Sequence, residues 1–86
     1  MFWTYVLYNK TASRIYIGQT NNPIERLKRH NGWSPHSRQS YTSKFAGNWD
    51  IVFTEEFQTR NEAKAREKQL KSQKGREYIW KTIQNW

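Results

Sequence analysis

The stretch YVLYNKTASRIYIGQT, Tyr5–Thr20, decides the fold. It opens on aromatic and β-branched residues, passes through a polar segment, and returns to an apolar run ending in a glycine. Aromatic and β-branched residues favour a pleated, half-buried surface, so residues 3–8 and 14–18 are expected to be strands. The polar NKTA between them is a four-residue hairpin loop. That loop predicts a register in which Tyr8 faces Ser13, Leu7 faces Arg14, Val6 faces Ile15 and Tyr5 faces Tyr16. Opposed residues point to the same side of a sheet, so two phenols would lie side by side on one face.

The rest of the chain builds on this hairpin. TNNPIERLKRHN is a helix, with Asn21 or Asn22 as cap, Pro23 in its first turn and Asn31-Gly32 as its stop. Residues 33–48 form a long polar loop, of a length that is often functional. WDIVFTEEF, residues 49–57, is a third strand. TRNEAKAREKQLKSQ is a second helix with Thr59 as cap and Glu62 three residues on, a capping box. Lys74-Gly75 ends it, and REYIWKTIQNW is a short third helix packing Ile79, Trp80 and Ile83.

With 86 residues, the chain is long enough for one domain and too short for two, so residues 1–86 are expected to fold as a single unit. Its core is modest, and five Trp, five Tyr and four Phe compensate by burying large areas. The absence of cysteine removes disulfides and thiolate metal sites and fits a reducing, cytoplasmic setting. The N-terminal sequence has the pattern of neither a signal peptide nor a membrane span. Fifteen Lys and Arg against seven Asp and Glu give a net charge of +8, which attracts polyanions, nucleic acid foremost. No segment sets an apolar face against a basic one as a membrane surface requires.

Helical periodicity puts Arg26 and His30 on one face, at the edge of a stripe holding Ile24 and Leu27. Such a pair is also ordinary on a basic helix. In the second helix Glu67 falls in the stripe of Ala63 and Leu70. A carboxylate there is costly unless it pairs with a neighbouring Lys or Arg or holds a cation. Two phenols, an arginine, a histidine and one carboxylate together suit phosphoryl transfer. A lone oxygen ligand suits Mg²⁺, which keeps most of its waters. Two His and no Cys argue against zinc. There is no glycine-rich phosphate loop and no nucleophile elbow.

These residues resemble the GIY-YIG nuclease family, and in particular its small stand-alone bacterial, URI-type members. Tyr16-Ile17-Gly18 is the YIG half as it stands; Trp3-Thr4-Tyr5 occupies the GIY half and keeps its tyrosine. Ile24 to His30 is similar to the family's arginine helix, and Glu62 to Lys71 to its metal-binding glutamate helix. The resemblance covers almost the whole chain. It implies an α/β sandwich, a central three-stranded antiparallel sheet flanked by helices, and hydrolysis of a nucleic-acid phosphodiester with one divalent metal. The expected activity is an endonuclease, on DNA rather more than RNA, with Mg²⁺ or Mn²⁺; nicking of branched or single-stranded DNA, a place in DNA repair and targeting by a partner are open alternatives. The resemblance implies Tyr5 as the general base, Tyr16 as its support, Arg26 on the scissile phosphate, His30 bonded to the tyrosines or relaying their proton, and Glu67 as the metal ligand. Gly18 would let the backbone pass close to the site. No counterpart of the C-terminal asparagine of some members is assigned; Asn85 is the only residue near that region.

Lys28, Arg29, Lys44, Arg66, Lys71 and Lys74, with Arg60, Lys68 and Arg76, are expected to hold backbone phosphates, contacts that position a strand without reading its sequence. Tyr41 would stack on unpaired bases, whereas Trp33 and His36 fit loop packing and solvation. Without a separate targeting domain, sequence specificity is expected to be low and a protein partner could direct the chain to its site, as a monomer or weak dimer. The alternative is a nucleic-acid-binding module that keeps the fold without cleaving.

Overall fold

The computed structural model of the protein describes residues 1–31 and 47–84. Three strands, β1 (Phe2–Asn9), β2 (Arg14–Thr20) and β3 (Asp50–Phe57), form an antiparallel sheet in the order β2-β1-β3. Three helices, α1 (Pro23–His30), α2 (Arg60–Lys71) and α3 (Gln73–Ile83), flank it. This is the α/β architecture expected of the sequence. Among the described residues no helix is long and apolar enough to cross a membrane.

The hairpin differs from its expected register by two residues. Tyr5 lies opposite Gly18, Leu7 opposite Tyr16, Tyr8 opposite Ile15 and Asn9 opposite Arg14. The loop is therefore Lys10–Ser13, not Asn9–Ala12. Asn9 stays in the strand, fully buried, and its side-chain oxygen accepts from the Ala12 amide at 2.9 Å. Ser13 turns the chain back through a positive φ of 53°, as a residue closing such a loop must. Because side chains alternate with period two, a two-residue shift keeps every residue on its face. Tyr5 and Tyr16 still share one, now as diagonal neighbours.

That face carries Tyr5, Leu7 and Trp49, all buried, packed with Tyr16, Leu27 of α1 and Ile51. The opposite face carries Val6 and Ile17 against Leu70 of α2 and Ile79 of α3. Thr4 on that side donates its hydroxyl to the Ala63 carbonyl at 2.7 Å, tying α2 to the central strand. β3 carries a bulge between the positions facing Val6 and Leu7.

The helix caps follow local chemistry. Asn22 accepts from the Glu25 amide at 3.1 Å, and Pro23 fills the first turn. Thr59 and Glu62 complete the capping box of α2. Two expectations are corrected at the C-terminal side. α2 ends at Ser72, whose hydroxyl accepts from the Gly75 amide and starts α3, so Lys74-Gly75 lies inside a first turn rather than at a break. Trp80 is 39 % exposed and meets Tyr8 edge-on at 5.9 Å instead of joining the core. Ile24 is likewise exposed, because Leu27 and His30 take the inner stripe of α1.

Candidate active site at the edge of β2

The site is built where the two faces of the sheet meet, at edge strand β2. Tyr5 comes from the central strand and is completely buried. Its phenol lies over Gly18, the residue opposite it: a Cβ at Gly18 would stand 2.7 Å from Tyr5 Oη and 3.1 Å from Tyr16 Cε1. The glycine is thus required by the ring above it, not by its own dihedral angles.

α1 brings His30 and Arg26 onto the same phenol. Tyr5 Oη and His30 Nε2 are 3.0 Å apart. His30 is 7 % exposed and stacks obliquely on Tyr16, with ring centroids 4.4 Å apart. The Arg26 guanidinium lies beside the phenol and favours its charged form, against the burial that raises it. The direction of the bond between Tyr5 Oη and His30 Nε2 is set by the imidazole tautomer. The orientation of α1 is fixed one residue further on. Asn31 donates to the Trp49 carbonyl at 2.9 Å and accepts from the Trp49 amide at 2.6 Å, pinning the helix end to the start of β3.

The environment sets the charges. Burial raises the Tyr5 phenol to about 12; Tyr16 and the Glu67 carboxylate add to the rise, and Arg26 opposes it. Burial, then the Arg26 charge, lowers His30 to about 4. At neutral pH the pair is therefore a neutral phenol facing a neutral imidazole. Arg26 Nε is buried and has no hydrogen-bond partner among the described residues. A buried guanidinium with an unused donor is matched to an arriving anion.

Glu67 reaches the site from α2. Its side chain is 22 % exposed, and Lys71 Nζ sits 2.7 Å from its Oε2. Among the described residues no group of three or more His, Cys, Asp or Glu could enclose a metal ion. One accessible carboxylate already occupied by a cation nevertheless fits a hard divalent ion that keeps its waters and borrows oxygens from a phosphate. Glu67 offers a cation one carboxylate, and the described residues build no closed, all-protein cage.

Of the expected site residues, Tyr5, Tyr16 and His30 are in mutual contact, with Arg26 and Glu67 close enough to act on the phenol electrostatically. The expected phosphate contacts divide. Lys28 and Lys74 are exposed, on the last turn of α1 and the first turn of α3. Arg29 pairs with Glu25 at 3.6 Å. Arg66 Nε donates to Glu55 of β3 at 2.8 Å, which turns it toward the sheet edge opposite β2. Lys71 is engaged by Glu67. Tyr41, Lys44, Trp33, His36 and Asn85 lie outside the described residues.

Two features escaped the sequence. Asn31 signals only a helix stop, and its clamp on Trp49 depends on a contact 18 residues away. Gln19 stands on a strand without periodic distinction, yet it lines a cleft with Arg26, Arg29 and Arg60. No curated protein and no solved structure matches the chain. A family model described as the GIY-YIG catalytic domain matches residues 1–82, and with the tyrosine pair, arginine helix and glutamate helix assembled on one sheet edge, the chain belongs to that family of nucleases.

Proposed function

We propose that the protein is a divalent-metal-dependent endonuclease that hydrolyses DNA phosphodiester bonds with low sequence specificity. The observation that carries the reading is the Tyr5 hydroxyl held 3.0 Å from His30 Nε2 over a bare glycine, with the Arg26 guanidinium beside it. Burial holds the Tyr5 phenol in its neutral form in the free protein, so it is not a standing phenolate base. The geometry supports a relay instead. A water proton passes to Tyr5 Oη as the phenol's own proton passes to His30 Nε2. The water oxygen bonds to phosphorus as the P–O bond to the leaving oxygen breaks, that oxygen takes a proton from solvent, and His30 returns its own to solvent. Arg26 takes the growing phosphate charge. Tyr16, stacked on His30, keeps the imidazole in line. Glu67 would hold the metal, which when bound supplies a hard Lewis acid that neutralises phosphate charge and acidifies water.

The test is cleavage of supercoiled plasmid and labelled single-stranded DNA with Mg²⁺ or Mn²⁺ and with chelator. Tyr5→Phe removes one oxygen and is expected to slow cleavage by about 10²- to 10⁴-fold with the fold intact. A second reading, a binding module without cleavage, draws on Lys71, which already neutralises Glu67. Binding of both DNAs without metal-dependent cleavage by the wild type would establish it.

A further inference from the structure

Beside the site lies a polar cleft of about 220 Å³ at the end of β2, where α1 and α2 both begin. Gln19, Arg26, Arg29 and Arg60 line it together with Glu25. Three guanidiniums against one carboxylate leave it positive, and that carboxylate is paired with Arg29. Arg60 lies over the Phe2 ring, 4.9 Å from its centroid, which holds its long side chain at the cleft. Two buried polar atoms here lack hydrogen-bond partners among the described residues: Arg26 Nε and Gln19 Oε1. Unpaired buried polar atoms cost stability, so their presence in an arginine-lined cleft points to a ligand that completes them.

We propose that this cleft is a second phosphate subsite, which holds the backbone phosphate adjoining the one at Tyr5 and Arg26. Arg26 borders both positions, so the strand runs past it along the edge of β2. Arg60 supplies the charge for the adjoining phosphate. Gln19 completes the contact: its amide presents N–H donors to the phosphate after a half-turn, or its oxygen accepts from the attached nucleotide. The subsite rests on the reading that a nucleic-acid strand is bound, and not on its being cut.

The test separates those two. A short single-stranded DNA carrying one uncharged methylphosphonate linkage, moved along the strand, is bound to the wild-type protein in chelator. One linkage next to the strongest-contact position is expected to weaken binding about tenfold. Arg60→Gln is expected to weaken the unmodified strand by the same factor and to be insensitive to that linkage, since the two changes remove one contact. It should also lower the slope of log affinity against log salt by about 0.7, the share of one single-strand phosphate. Arg60→Lys should restore part of the affinity, and Gln19→Ala should weaken binding without altering the salt slope. Equal linkage penalties in the wild type and Arg60→Gln, or an unchanged salt slope, would overturn the subsite. Binding that follows this pattern without any cleavage in metal would retain the subsite and remove the nuclease reading.

Discussion

The phenol of Tyr5 rests where a Cβ would otherwise be. An alanine at position 18 would place that carbon 2.7 Å from Tyr5 Oη and 2.8 Å from Cζ, and the fully buried ring has no room to retreat. Gly18→Ala is therefore expected to cost about 1–3 kcal/mol in chemical denaturation. It should also slow cleavage about as severely as Tyr5→Phe, although it touches no reacting atom. Cleavage at the wild-type rate would show that the position of this phenol is immaterial. His30 makes a second claim at this scale. Its pKa falls from 6.5 in the unfolded chain to about 4 in the folded one. Between those values the unfolded chain binds the extra proton, so stability is fully present above pH 6.5 and is lost as pH falls toward 4. The loss from this group is about 3 kcal/mol by pH 4. Urea titrations at pH 7.5, 6 and 5 should show it, and His30→Gln should flatten the slope above pH 5, where most carboxylates are still charged. A slope unchanged in His30→Gln would place the acid sensitivity elsewhere.

At the scale of elements, α1 is eight residues long and would not persist alone, so tertiary contacts must set its angle. The paired bonds between Asn31 and the Trp49 backbone do so, and Arg26 and His30 ride on the result. Asn31→Ala is expected to cost about 1–3 kcal/mol, because it strands two backbone groups of a residue that is 1 % exposed, and to slow cleavage as well. Thr59→Ala is the matched control: it removes the α2 capping box for about 1 kcal/mol and should leave cleavage of the remaining folded protein unchanged. Parallel losses of activity in both variants would mean that stability alone, and not the placement of α1, is being read. The caps of both helices were legible because they are local: Asn22, Pro23, Thr59 and Glu62 act within a turn. The shared face of Tyr5 and Tyr16 was legible because strand alternation has period two. Their register was not, since it depended on whether Asn9 ends the strand or opens the loop, and a side-chain bond to Ala12 decides that. The boundary between α2 and α3 was missed for a related reason. Gly75 signals a break, but its missing side chain serves close packing: a Cβ there would press on the Gln69 and Leu70 backbone.

For the molecule as a whole, a charge of +8 draws in a polyanion, whereas the proposed metal would need one carboxylate kept available. Lys71 stands between these demands. Its side chain is 47 % exposed, and its Nζ lies 2.7 Å from Oε2 of the same Glu67 that would hold the ion. It compensates Glu67 here; if Glu67 holds the metal as proposed, Lys71 would be released toward a phosphate. The competition can be measured. Glu67→Gln is expected to abolish metal-dependent cleavage while strand binding in chelator persists. Lys71→Met removes the competitor, and an exposed ion pair of this kind is worth about 0.2–1 kcal/mol, so the metal concentration for half-maximal cleavage should fall by up to about fivefold. The same variant should bind DNA more weakly and with a shallower salt dependence, because one cation is lost. The two effects have opposite signs and are separated by titrating metal at saturating DNA and DNA at saturating metal. A higher metal requirement in Lys71→Met would mean that Lys71 helps to build the metal site instead of guarding it, and a Glu67→Gln protein that still cleaves would take the metal away from Glu67 altogether.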